Sequence, residues 1–123
     1  MPPKLSTHVL DTANGCPAGN MRVELWSLDG PAPTKLKEFR TNADGRNGDG
    51  PLLDEATMKV GKYELRFHVA EYFAMKNPET PKAPSGVAFL DVVPVQFGIP
   101  DAAQGYHVPL LCSQWSYSTY RGS

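Results

Sequence analysis

Apolar and polar residues alternate along much of this chain, and that two-residue period restricts it to sheet. In the run 21–28, Val23, Leu25 and Ser27 oppose Arg22, Glu24 and Trp26. Tyr63, Leu65, Phe67 and Val69 alternate in the same way with Glu64, Arg66 and His68, the pattern of a strand with one face in a core. Residues 89–97 form a third run. Pro94 cannot donate to a ladder, so this run is expected at a sheet edge or with the proline at a strand start. Residues 36–40 read as a shorter, more polar strand. Between the runs, Asn14-Gly15, Asp29-Gly30-Pro31, Asp44-Gly45, Gly48-Asp49-Gly50-Pro51 and Val60-Gly61-Lys62 carry turn chemistry. Short strands separated in this way predict an all-β antiparallel sandwich of two sheets. One segment breaks the period. Residues 69–76 predict two helical turns that bury Tyr72, Phe73 and Met75, with Pro78 ending them. The polar stretch 77–86, with three prolines, reads as a surface loop rather than a linker.

The chain has 123 residues, enough for one domain over 1–123 with a core of ordinary size. Its formal net charge of -1 gives no electrostatic case for nucleic acid or for an anionic membrane surface. No apolar run approaches the roughly 18 residues that span a bilayer. Met1-Pro2-Pro3-Lys4 contains no apolar signal core, and the ending is not a Ser-Lys-Leu address, so a cytoplasmic protein is expected. Cys16, in a turn, and Cys112, at a strand end, lack metal-ligand spacing and read as inert thiols.

Chemistry has few candidates. Histidine exchanges protons near neutrality, and the chain has three: His8, His68 and His107. His8 lies in a strand-like run, 5–10, and His107 in another, 106–111; a lone strand histidine is ordinarily a hydrogen-bonded structural residue, and His68 reads as an outward residue between Phe67 and Val69. His8 and His107 have no carboxylate or cysteine at a spacing that would complete a metal site. Arg46 closes the Asp44-Gly45 turn, and Arg121 directly follows a strand-like run, 115–120, two residues before Ser123. Each is either a solvated arginine or a planar fork for a flat, oxygen-rich anion. Ser118 has no nucleophile elbow around it.

Three separated stretches carry a family likeness. Leu5-Ser6-Thr7-His8-Val9-Leu10-Asp11, His107-Val108-Pro109-Leu110-Leu111 and Tyr117-Ser118-Thr119-Tyr120-Arg121-Gly122-Ser123 resemble the 5-hydroxyisourate hydrolases, the transthyretin-related enzymes of purine breakdown. Thr41-Asn42-Ala43-Asp44-Gly45-Arg46 also fits the family pattern, and the terminal Tyr-Arg-Gly-Ser is its most specific mark, because transthyretin lacks it. Only residues 75–88 look individual. The resemblance implies a transthyretin-like fold, two four-stranded sheets face to face with one short helix. It implies a homotetramer, a dimer of dimers, with sites at subunit interfaces and a small purine-derived substrate. It implies hydrolysis of 5-hydroxyisourate on the route from urate to allantoin, with no cofactor and no metal. His8 and His107 would activate water and relay its proton, in an order left open. Arg46 would bind ring carbonyls and developing charge. Arg121 and Ser123 would orient the substrate, and Thr119 and Tyr120 would line the pocket. The alternative is a non-catalytic carrier on the same fold, whose channel should lack this charged and imidazole lining.

Overall fold

The computed structural model describes residues 2–81 and 83–122. Ten strand segments and one helix follow in order: β1 (Leu5–Ser6), β2 (Val9–Asp11), β3 (Cys16–Pro17), β4 (Arg22–Ser27), β5 (Thr34–Arg40), β6 (Gly61–His68), α1 (Val69–Lys76), β7 (Val92–Ile99), β8 (Tyr106–His107), β9 (Leu110–Cys112) and β10 (Tyr117–Thr119). One four-stranded sheet has the order β5-β4-β6-β7 and is antiparallel throughout. A second has the order β10-β9-β2-β3, and β1 and β8 make a two-stranded sheet beside it. The expected sandwich therefore holds, but two of its pairings, β1 with β8 and β2 with β9, are parallel.

The alternation places the core. Val23 and Leu25 of β4, Leu65 and Phe67 of β6, and Val9 and Leu110 of the other sheet are fully buried. Pro94 sits in the edge strand β7, as its missing donor requires. That strand begins at Val92 rather than at residue 89. Two other expected strands are also shorter than their sequence runs. Residues 5–10 divide into β1 and β2, and residues 106–111 into β8 and β9. At each break the chain passes from the small sheet to the larger one. The last strand is confined to Tyr117–Thr119.

The helix occupies the predicted span and closes with Asn77 N–H donating to the Phe73 carbonyl. Met75 corrects the expected burial: it is 48% exposed, while Val69, Tyr72 and Phe73 are buried. Those three share a face at i, i+3 and i+4, and a residue six places on lies away from it. The Tyr72 hydroxyl donates to the buried Asp11 carboxylate at 2.7 Å, tying the helix to β2.

His68 is a second correction. It projects from the outer face of β6, but it is not a free outward residue. Its Nε2 bonds the Glu24 carboxylate, and the imidazole is only 13% exposed. The β4–β6 register sets Glu24 opposite Arg66, diagonal to His68. Burial pushes the Glu24 pKa up, but hydrogen bonds from His68 and Trp26 outweigh it and hold the carboxyl below its ordinary value.

Candidate active site

His107 is the centre of the arrangement. It ends β8, paired with Ser6 of β1 in parallel register, which puts the two side chains on one face. Ser6 Oγ lies 2.9 Å from His107 Nδ1. The backbone is fixed on both sides: Val108 N–H donates to Ser6 O at 2.9 Å, and Thr7 Oγ1 donates to Val108 O at 2.7 Å. Beyond β10 the terminal segment returns across the ring. His107 and Gly122 exchange both backbone hydrogen bonds, at 3.1 and 2.7 Å. A side chain at Gly122 would begin 3.0 Å from both Cβ and Cδ2 of His107. Glycine at this place lets the chain end lie flush against the imidazole.

His8 stands in the break between β1 and β2, so it is not the mid-strand histidine that the alternation suggested. Its carbonyl accepts from Leu110 N–H at 3.0 Å, which holds it beside the matching break after β8. The Asp44-Gly45 turn packs on this point. Asn42 side-chain oxygen accepts from the N–H groups of Asp44 and Arg46, and Gly45 O accepts from Val9 N–H at 2.8 Å. Gly45 has φ +76, and a Cβ there would meet the Val9 carbonyl and lie 3.4 Å from His8 Cδ2. The turn thus packs on His8 one residue ahead of Arg46. Burial lowers the His107 pKa, and the charges of Arg46, His8 and Lys4 act in the same direction. The three residues of the catalytic expectation, His8, Arg46 and His107, therefore share one electrostatic neighbourhood.

The C-terminal candidates are arranged differently. Thr119 Oγ1 donates to the Pro109 carbonyl at 2.6 Å, so its proton serves the β9–β10 pair. Tyr120 is 60% exposed. Arg121 lies over the Tyr106 ring at 4.6 Å and donates to Gln104 Oε1 and Gly105 O, rather than to either imidazole neighbourhood. Ser123 lies outside the described residues. Sequence reasoning passed over Ser6, Lys4 and Gly122 as parts of this site. Ser6 stands two residues before His8, but only the β1–β8 register gives it a partner 101 positions away. The 75–88 segment borders a separate groove of about 600 Å³, lined by Phe73, Val87, Phe89, Leu90 and Trp115.

The HIUase/Transthyretin family pattern matches residues 5–122. The chain belongs to the HIUase/Transthyretin family. A 5-hydroxyisourate hydrolase of Rhizobium meliloti is 48% identical over 120 residues, covering 98% of this chain and 96% of that protein. The crystal structure of an (S)-allantoin synthase superposes with a TM-score of 0.89 at 48% identity, covering 99% of this chain but 44% of that one. Sea bream transthyretin in complex with thyroxine gives 0.78 at 25% identity, covering 97% and 94%. The family fold is thus shared by differently named proteins, and function has to be argued from the site.

Proposed function

We infer that this protein hydrolyses 5-hydroxyisourate, opening its ring to 2-oxo-4-hydroxy-4-carboxy-5-ureidoimidazoline. The observation that supports this reading is the packing of the Asp44-Gly45 turn on His8, at the paired breaks in β1–β2 and β8–β9 that follow Ser6 and His107. The near end-to-end likeness to a named hydrolase supports it. Cleaving a cyclic amide-type C–N bond requires a deprotonated water, a held ring and a donor for the tetrahedral oxygen. His107 is the base in this proposal. Its lowered pKa keeps it neutral at pH 7 and able to take a proton. Water attacks the carbonyl carbon as its proton passes to the imidazole. The imidazolium then returns a proton to the departing ring nitrogen as the C–N bond breaks. His8 relays protons at the same point, and Arg46 binds the ring carbonyls and the developing oxyanion. Tyr120, exposed at the chain end, lines the pocket in this proposal.

A placed general base contributes roughly 10²–10⁴-fold, and an oxyanion donor roughly 10²–10³-fold. These suffice for a substrate as labile as this one. The test follows the absorbance of freshly generated urate oxidase product with and without the protein, and with His107→Asn and Arg46→Ala. The proposal expects acceleration by the wild type and a loss of roughly 10² or more in each variant. No acceleration, with saturable binding of an aromatic hormone, would favour the carrier. Near-native turnover in a folded variant would remove that residue from the mechanism.

We further propose one domain over the whole chain, a cytoplasmic location and a homotetramer whose interface completes the site. Exposed Trp115 and Tyr120 beside the edge strand β10, with Tyr117 on it, support the assembly. No helix among the described residues is long and apolar enough to cross a membrane. Sedimentation velocity tests the tetramer: a monomer at micromolar concentration would overturn it.

A further inference from the structure

Two nitrogens of one ring must do different things if His107 is the base. This inference rests on the hydrolase reading above. Among the described residues Nε2 has no hydrogen-bond partner, whereas Nδ1 is met by Ser6 Oγ at 2.9 Å. A neutral imidazole carries its single proton on one nitrogen, and the partner of the other nitrogen decides which. The proton must sit on Nδ1 for Nε2 to present a lone pair to water. A backbone N–H in place of Ser6 would force the opposite tautomer. A hydroxyl can take either side of this bond, unlike a backbone N–H; accepting from Nδ1–H, it goes on accepting when the ring becomes imidazolium, so no ring rotation accompanies the proton transfer.

We propose that Ser6 is a positioning residue that fixes His107 in the Nδ1–H tautomer and aims Nε2 at the substrate. Three features place the hydroxyl for this role rather than for general packing. Ser6 and His107 are register partners, so their side chains project from adjacent strands on one face. The Thr7 and Ser6 bonds to Val108 hold the two short strands together immediately beyond the pair. Gly122 closes on the ring at Cβ and Cδ2, the side away from Nδ1, so the imidazole is held from two directions. The basic side chains whose charge acts on the ring are Arg46 from the 44–46 turn, His8 from the break after β1, and Lys4 ahead of β1. Among the described residues none of them is hydrogen-bonded to Nδ1, which is met by Ser6. In the catalytic cycle the water proton binds Nε2 and is passed to the ring nitrogen of the substrate, while the Nδ1 proton stays with Ser6 throughout.

The experiment joins a tautomer measurement to kinetics on the full-length protein. Long-range 1H–15N correlation spectra of the histidines, assigned with His107→Asn, should show His107 protonated at Nδ1 in the wild type near pH 7. Ser6→Ala should give mixed tautomers and a kcat about tenfold lower, the size of one net hydrogen bond. KM should change by less than about twofold. The acid limb of the pH profile should move to lower pH, because the imidazolium has lost its acceptor. Ser6→Thr, which keeps the hydroxyl, should restore all three. A wild-type spectrum with the proton on Nε2 overturns the proposal whether or not Ser6→Ala folds. So does a Ser6→Ala enzyme with native kcat, or a Ser6→Thr enzyme that fails to recover. Wild-type protein that leaves 5-hydroxyisourate decay unaltered contradicts the hydrolase reading instead, and the tautomer spectrum still decides the role of Ser6.

Discussion

Replacing Gly45 by alanine separates local strain from the close approach that builds the site. Gly45 is left-handed at φ +76, a conformation that costs an L-residue about 1–2 kcal/mol. An added Cβ would also come well inside 3.0 Å of the Val9 carbonyl oxygen, a backbone atom with no rotamer to yield. The turn must then move, weakening the 2.8 Å bond from Val9 N–H to Gly45 O, worth about 1 kcal/mol net. The sum is about 2–3 kcal/mol. Gly15 supplies the control, because its φ is +69 but nothing lies within 4 Å of its Cβ position. Gly15→Ala should cost only the backbone part, about 1–2 kcal/mol. In urea titrations at one protein concentration, with slopes of about 1–3 kcal/mol/M, the Gly45→Ala midpoint should fall clearly further than that of Gly15→Ala. Turnover should separate the two variants more sharply. The displaced turn carries Arg46 and presses on His8, and a misplacement of about 1 Å is worth roughly 10² in rate. If the two variants unfolded together and both kept native kcat/KM, the packing of this turn against Val9 and His8 would not be what positions Arg46.

Two further outcomes follow from the charge environment. The His107 pKa is lowered in the folded protein, so the acid limb of kcat/KM should lie below the ordinary histidine value of about 6.5, read from initial rates across pH. The unfolded chain binds the extra proton first, so this histidine should also make stability fall as pH drops from about 6.5 through its folded pKa, as urea midpoints would report. On the opposite sheet, His68→Leu leaves the buried Glu24 carboxylate with only the Trp26 indole and a 4.0 Å ion pair to Lys35, and should lower stability by about 1–3 kcal/mol at pH 7. Glu24 is depressed, so its contribution is present above its unfolded value and lost as pH falls through the folded one. The wild-type acid-side slope should therefore flatten in this variant, with kcat unchanged.

The β5-β4-β6-β7 sheet was legible because each of its central strands has one face in the core, and burial writes period two into the sequence. The helix was legible because Val69, Tyr72 and Phe73 interrupt that period, and only the phase of Met75 was misjudged. The breaks at 7–8 and 108–109 left no such mark. They are set by parallel pairings between segments about 100 residues apart, and no local pattern encodes which strand will lie alongside. The same holds for His68 and Glu24, whose pairing comes from register across β4 and β6. For the proposed site, His8, Arg46 and His107 were singled out through family motifs. The placement of Arg121 on Tyr106 and Gln104 was not, because it depends on how the terminal segment folds back over β8.

A crystal structure of the protein with a non-hydrolysable purine analogue addresses the central claim most directly. The account predicts analogue carbonyls hydrogen-bonded to the Arg46 guanidinium, with the carbon that water would attack facing His107 Nε2 and His8 beside it. An analogue seated in the groove between the helix and the 80–90 segment, with both imidazoles left in solvent, would contradict it.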